Sequence, residues 1–285
     1  MQNTILFINF ITLIKKIILA IIQGLTEILP VSSSGHLLIA SQLFNIDTNG
    51  LTLVIFLHFG SLIAMIIYYR KILKEMIINL FKYLLKKDRS QSSIYYSKLF
   101  LCLIISSLPA AIVGFLLGDI IDNYFTNLYY IFIFLSINSV LLLFNKKLIG
   151  RKKTNELNFK DASIIGLFQC LGIFPGISRS GITILGAKSM KLNDEDAAGY
   201  SFLMFLPITL GSFIWELIGF KDNVVNLSSP SIISDLIAVI ISGITTYIAI
   251  HFLLKIIKKG KLYYFSYYCL LVALFGTIFC LITNY

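Results

Sequence analysis

The chain has 285 residues, 57% hydrophobic and only 13% charged, where soluble domains carry about 45–50% apolar and about 25% charged residues. With a mean hydropathy of +0.86 it reads as an integral membrane protein, and at about 20 residues per spanning helix it has no room for a separate soluble catalytic domain. The net charge of +10, from 24 Lys and Arg against 14 Asp and Glu, is read as loop charge that sets orientation in the bilayer rather than as a nucleic-acid surface.

The N-terminal stretch MQNTILFINFITLIKK lacks a basic region ahead of its apolar run and a small-residue cleavage site, so no removable signal peptide is expected. The first apolar segment, about 12–44, is broken by PVSSSGH, which forbids a continuous helix and predicts a re-entrant hairpin facing the protein interior. Lys15 and Lys16 on its first helix are expected to snorkel to the headgroups. A carboxylate in an apolar helix costs at least about 2.5 kcal/mol at the bilayer centre, so Glu27 is expected to face inward as a functional group. Gln23 lies four residues earlier on the same helix face, where the pair can share a metal ion, a water or an incoming phosphate. Ser32, Ser33, Ser34 and His36 then open a short helix. Their hydroxyls, the free backbone N–H groups and the helix dipole make an anion site, and phosphate is the expected anion. His36 can move a proton near neutral pH or attack phosphorus directly.

Spanning helices are predicted at about 51–69, 98–118 and 128–145. A second broken segment follows at about 160–190, interrupted by PGISRSG. Arg179 is the arginine of this hairpin. It is expected to be the counter-ion of Glu27, a bidentate ligand for a phosphate, or both. Ser178, Ser180 and Thr183 are candidates for further hydroxyl contacts to phosphate. Three more spans are predicted at about 198–219, 232–257 and 263–282, the first entered through Asp194-Glu195-Asp196, which suits a helix N-terminus. His58, Glu216 and His251 have no surrounding constellation and are read as packing or pore-lining residues. Tyr263, Tyr264, Tyr267 and Tyr268 are read as an interfacial aromatic belt without a catalytic role. The four cysteines lie in apolar runs without metal-ligand spacing and are read as packing residues.

The two interrupted segments resemble one another: QGLTEILPVSSSG at 23–35 aligns with QCLGIFPGISRSG at 169–181, with a one-residue gap before the proline. Each is followed by three predicted spans. A hairpin plus three spans crosses the bilayer an odd number of times, so the second copy must enter upside down. The expected architecture is therefore an all-α membrane protein with an inverted-topology repeat, one copy over about 1–150 and the other over about 151–285, within a single membrane domain. Basic residues cluster in the stretches 70–98, 146–160, 188–191 and 255–261, whereas 119–127 and 220–231 carry only Lys221. The positive-inside rule then places both termini and the first hairpin toward the outer face, and the second hairpin toward the cytoplasm.

QGLTEILPVSSSGH resembles the first signature of the undecaprenyl-diphosphate phosphatase family, the bacitracin-resistance phosphatases, and FPGISRSGIT resembles its second, PGxSRSxxT. SFLMFLPITLGS at 201–212 is also similar, so the resemblance spans nearly the whole chain. It implies hydrolysis of the terminal phosphate of undecaprenyl diphosphate, which recycles the lipid carrier for cell-wall synthesis. It further implies a divalent cation, Mg²⁺ or Ca²⁺, for which Glu27, alone or with Gln23, is the expected ligand, and a homodimer in the bacterial inner membrane whose site opens toward the outer face. Ser33, His36, Ser178, Arg179 and Thr183 occupy the family's functional positions. The attacking group stays open between Ser33, His36 and an activated water. A transporter of the monophosphate carrier is the competing reading, since broken helices meeting at the midplane are transporter architecture.

Overall fold

In the computed structural model, residues 2–46, 52–219 and 231–283 are described, and they fold almost entirely as helices. The first hairpin is α1 (Gln2–Ile28) and α2 (Ser33–Leu43), followed by α3 (Thr52–Leu85), α4 (Gln91–Phe125) and α5 (Leu128–Phe144). The second hairpin is α6 (Phe159–Leu171) and α7 (Arg179–Ser189), followed by α8 (Asp194–Gly219), α9 (Ser231–Lys258) and α10 (Tyr264–Thr283). Both predicted breaks are present: the chain leaves helical geometry between Ile28 and Ser33, and again between Leu171 and Arg179.

Among the described residues, five helices are long and apolar enough to cross a membrane: α3, α4, α8, α9 and α10. The sixth predicted span, α5, is a shorter apolar helix of 17 residues, about 26 Å at 1.5 Å per residue. Several helices outrun the apolar stretches that predict them. α3 continues sixteen residues past Tyr69 to Leu85, because RKILKEMIINLFKYLL is polar on one side yet built from good helix formers. α1 likewise begins at Gln2, well ahead of the predicted hairpin, since no breaker interrupts the run before Ile28. Lys221 and the rest of 220–230, and the Glu216 side chain, lie outside the described residues.

The core is assembled across the two halves of the chain. α1 packs along α9, α6 along α4, and α5 along α10. The α1–α9 contact is close because Gly24 lacks a side chain: a Cβ there would fall 1.9 Å from the Thr245 hydroxyl and 2.5 Å from the Ser242 carbonyl. Between α3 and α9, Ser61 Oγ lies 3.2 Å from Ser242 Oγ and 2.9 Å from Thr246 Oγ1, the hydroxyl pairing that joins helices where the surroundings offer no water. Large apolar side chains such as Phe115, Phe275 and Ile282 are exposed on the periphery, as lipid-facing positions require.

Lys15 and Lys16 do not reach outward. Lys15 Nζ donates to the carbonyl of Phe44 at the end of α2, and Lys16 pairs with Asp235 and Ser234 at the start of α9. Half-buried within the bundle, both amines find partners closer than the headgroups, and they fasten α1 to its neighbours. The four cysteines are free, and Cys102, Cys269 and Cys280 are buried in the packing.

Candidate active site

The two interhelical breaks meet, and a small number of hydrogen bonds fixes them to each other. Ser32 caps α2: its hydroxyl accepts the N–H of Gly35 at 3.3 Å and, from the other hairpin, the N–H of Gly176 at 3.0 Å. Both residues have positive φ, 70° at Ser32 and 108° at Gly176. Gly176 must be glycine, because a Cβ would come within 2.7 Å of the Ile131 carbonyl and of Phe134 Cβ. Asn138, buried on α5, ties the same two loops: its Nδ2 donates to the Pro30 carbonyl at 3.1 Å, and its Oδ1 accepts the Ser178 N–H at 3.0 Å. Ser178 caps α7 by accepting the Gly181 N–H. Two helix N-termini, those of α2 and α7, therefore stand at one place, and their dipoles make it favourable for anions.

The charge at the site is set by a pair from opposite halves. Arg179 Nη2 donates to Glu27 Oε1 at 2.6 Å, with the Glu27 side chain almost wholly buried and that of Arg179 25% exposed. The guanidinium is thus partly open while the carboxylate is enclosed. Arg179 is held on three sides: Nη1 donates to Thr209 Oγ1 on α8 at 3.1 Å, and the guanidinium carbon lies 4.7 Å from the centre of the Phe205 ring, a cation–π contact. Glu27 Oε2 accepts from Gln23 Nε2 at 2.7 Å and lies 3.4 Å from His58 Nε2. The Ser33 hydroxyl, at the first position of α2, stands near enough to this carboxylate to interact with it electrostatically.

His36 sits one turn into α2. Its Nδ1 is 2.8 Å from the Ser32 carbonyl, and its Nε2 is 2.8 Å from the Tyr268 hydroxyl on α10. Ser34 Oγ lies 3.3 Å from Ser32 Oγ. Ser180 Oγ donates to the Leu29 carbonyl at 3.3 Å, a further bond between the loops. Thr183 is buried, with its hydroxyl donating to the Arg179 carbonyl and sharing a bond with Ser201 Oγ at 2.6 Å. The structure therefore gathers Gln23, Ser33 and the Glu27–Arg179 charge pair, ties His36 to the Ser32 carbonyl and to Tyr268, and engages Ser32, Ser178, Ser180 and Thr183 in bonds that shape the loops.

Four residues without a predicted role join this neighbourhood. His58 was read as a packing residue, yet it faces the Glu27 carboxylate, because α3 passes α1 at that level. Tyr268, assigned to the aromatic belt, reaches His36. Asn138 and Thr209 had no assignment. A polar amide in the middle of apolar α5 is the same kind of signal as Glu27 in α1, and it marks Asn138 even without a motif.

A family model described as bacitracin resistance protein BacA matches residues 16–275. Among curated proteins, the chain is 45% identical over 260 residues to a Thermosipho africanus protein named undecaprenyl-diphosphatase, covering 91% of this chain and 97% of that one. It is 35% identical over 277 residues to an undecaprenyl-diphosphatase of Oceanobacillus iheyensis, covering 96% and 98%. An undecaprenyl-diphosphatase of Methanococcus maripaludis is 38% identical over 266 residues, covering 93% and 99%.

Proposed function

The chain belongs to the bacitracin resistance protein BacA family and is an undecaprenyl-diphosphatase of the membrane, and we propose that hydrolysis takes place between the two loops that Ser32 and Asn138 hold together. The carrying observation is the Glu27–Arg179 pair at 2.6 Å, with two helix N-termini beside it.

The part of each residue follows from its surroundings. The diphosphate of the lipid enters with its prenyl tail left in the bilayer. Arg179, partly exposed and braced by Thr209 and Phe205, presents its planar fork to the phosphoryl oxygens and stabilises the charge that grows on them as the P–O bond to the leaving phosphate ester lengthens. The α2 and α7 N-termini add their free N–H groups. Ser33, close to the Glu27 carboxylate, is the favoured attacking group: its proton is drawn off as the hydroxyl oxygen forms the new bond to phosphorus and the bond to the leaving monophosphate ester breaks, and water then releases inorganic phosphate. His36, with one nitrogen fixed to Ser32, serves as the proton-transfer group for these steps. Ser34, Ser178, Ser180 and Thr183 shape the phosphate pocket around them.

A divalent cation fits the residues present. The Oε1 of Gln23 is buried and has no hydrogen-bond partner, an oxygen donor beside the Glu27 carboxylate. Hard cations such as Mg²⁺ or Ca²⁺ are commonly held by one or two protein oxygens together with substrate phosphates, which suits a site where, among the described residues, no three His, Cys, Asp or Glu side chains cluster. When bound by Glu27 and Gln23, such a cation would supply positive charge for the diphosphate.

The inverted repeat is supported by the exchange of partners between the halves: α1 of the first packs on α9 of the second, as α6 of the second packs on α4 of the first. Together with the charge asymmetry of the loops, this supports a first hairpin and both termini toward the outer face of the bacterial inner membrane. The family resemblance supports a homodimer, and bacitracin resistance as the consequence of carrier recycling. A carrier transporter would need the anion site alone, whereas a serine close to a carboxylate, with a histidine on the same short helix, is equipment for chemistry.

The test is phosphate release from undecaprenyl diphosphate by the pure protein in detergent, where no second compartment exists. Ser33→Ala is expected to lose more than about a hundredfold in kcat, the scale for loss of a nucleophile, and a quenched wild-type reaction to carry phosphate on Ser33. A residual rate above about one per cent of wild type would instead assign the attack to water.

A further inference from the structure

Tyr268 stands outside the three stretches that carry the family resemblance, yet its hydroxyl is 2.8 Å from His36 Nε2 and its ring is nearly parallel to the imidazole, with centroids 5.6 Å apart and planes inclined by 12°. The other side of the ring fixes what this contact means. His36 Nδ1 is 2.8 Å from the Ser32 carbonyl oxygen, and a carbonyl oxygen only accepts, so Nδ1 carries the hydrogen. In the neutral imidazole Nε2 is then a bare lone pair, and the Tyr268 O–H donates to it. The Ser32 end of this chain is rigid, because the Ser32 hydroxyl is bound by backbone N–H groups of both hairpins.

We propose that Tyr268 is a positioning residue for the phosphatase reaction: by donating to Nε2 it fixes the orientation of His36 in the Nδ1–H tautomer set by the Ser32 carbonyl, and keeps Nε2 as the proton-accepting nitrogen. The inference rests on the reading that His36 transfers protons in catalysis. A histidine whose two nitrogens are both engaged loses its two-fold choice of ring orientation and of tautomer, so the proton acceptor stands ready before substrate arrives. Tyr268 is 45% exposed, so its hydroxyl is removed without opening a cavity.

The experiment compares wild type, Tyr268→Phe, Tyr268→Leu and His36→Ala in detergent, with two readouts. The first is steady-state hydrolysis of undecaprenyl diphosphate. Tyr268→Phe, which keeps the aromatic ring and loses the O–H, is expected to lower kcat about tenfold with KM unchanged, and Tyr268→Leu, which loses both, to lower it further. The second is the rate at which diethyl pyrocarbonate carbethoxylates His36, read by peptide mass spectrometry. That reagent attacks the bare ring nitrogen, so freeing Nε2 in Tyr268→Phe is expected to raise the rate several-fold, a change that a purely structural tyrosine would not produce at this one histidine. Wild-type kcat in Tyr268→Phe, or an unchanged carbethoxylation rate at His36, overturns the proposal. Full activity in His36→Ala overturns instead the assignment of His36 to proton transfer, while the labelling rate still decides whether Tyr268 holds the ring.

Discussion

The backbone N–H of Gly176 donates to the side-chain oxygen of Ser32 at 3.0 Å, across 144 positions of sequence. This one bond joins the loop that carries the candidate nucleophile to the loop that carries the arginine. Because the Ser32 hydroxyl also caps α2, Ser32→Ala orphans a buried N–H in each hairpin. The expected loss is about 1–3 kcal/mol of stability for the Gly176 donor, seen as a lower midpoint of thermal unfolding in detergent, together with weaker phosphate release.

Glu27 and Arg179 are each expected to be indispensable. Glu27→Gln removes the charge that faces the guanidinium, and Arg179→Lys replaces a planar fork by a point charge that cannot hold Glu27, Thr209 and a phosphate at once. Each is expected to lower turnover by about a hundredfold or more while the protein still purifies as a folded species by size exclusion. Arg179→Lys with most of its activity intact would end the bidentate assignment.

His58 gives a graded prediction. Its Nδ1 donates to the Val54 carbonyl at 2.9 Å and its Nε2 lies 3.4 Å from Glu27, to which it donates when both ring nitrogens carry hydrogen. His58→Leu takes a polar partner from the carboxylate and is expected to reduce kcat about tenfold, roughly the worth of one charge-assisted hydrogen bond. His58→Gln, whose amide nitrogen can donate in the same direction, is expected to retain most of the activity. Equal loss in both variants would show that the imidazole itself is needed.

The orientation is checked with cysteines introduced at Asn123 and at Ser92 in a variant lacking the four native ones. Asn123 lies near the end of α4 and Ser92 near its start, so the two positions are expected on opposite faces. An impermeant thiol reagent added to intact cells is expected to label the cysteine at 123 and spare that at 92. Equal labelling of both positions would exclude the proposed topology.

Much of this site was legible in the sequence because a membrane makes polarity conspicuous. Glu27, Gln23, Arg179 and the serine runs stand out against apolar neighbours, and the proline and glycine breaks locate the two loops to within a few residues. His58, Asn138, Thr209 and Tyr268 did not stand out as a group, because each sits alone on a different helix and acquires meaning only when packing brings it to the loops. Asn138 is 108 residues from Pro30 and Tyr268 is 232 from His36, separations at which no spacing rule operates. Helix length was misjudged for a different reason. Hydropathy marks where lipid ends, whereas helical hydrogen bonding continues for as long as the residues favour it, as in α3 beyond Tyr69.

The Glu27–Arg179 pair spans 152 positions, which sets an order of events at the ribosome. At about 5–20 residues per second, synthesis takes roughly 8–30 seconds to travel from the carboxylate to its guanidinium. Throughout that interval the first hairpin lacks Arg179, the Gly176 N–H and the Ser178 N–H, the groups that later compensate Glu27, Ser32 and Asn138. A buried carboxylate without its partner costs several kcal/mol, so the nascent hairpin has reason to keep Glu27 near water until the second hairpin arrives. The pocket between the two hairpins is accordingly among the last parts of the molecule to close, and a chain released before residue 179 would lack the counter-ion that the second hairpin supplies to Glu27.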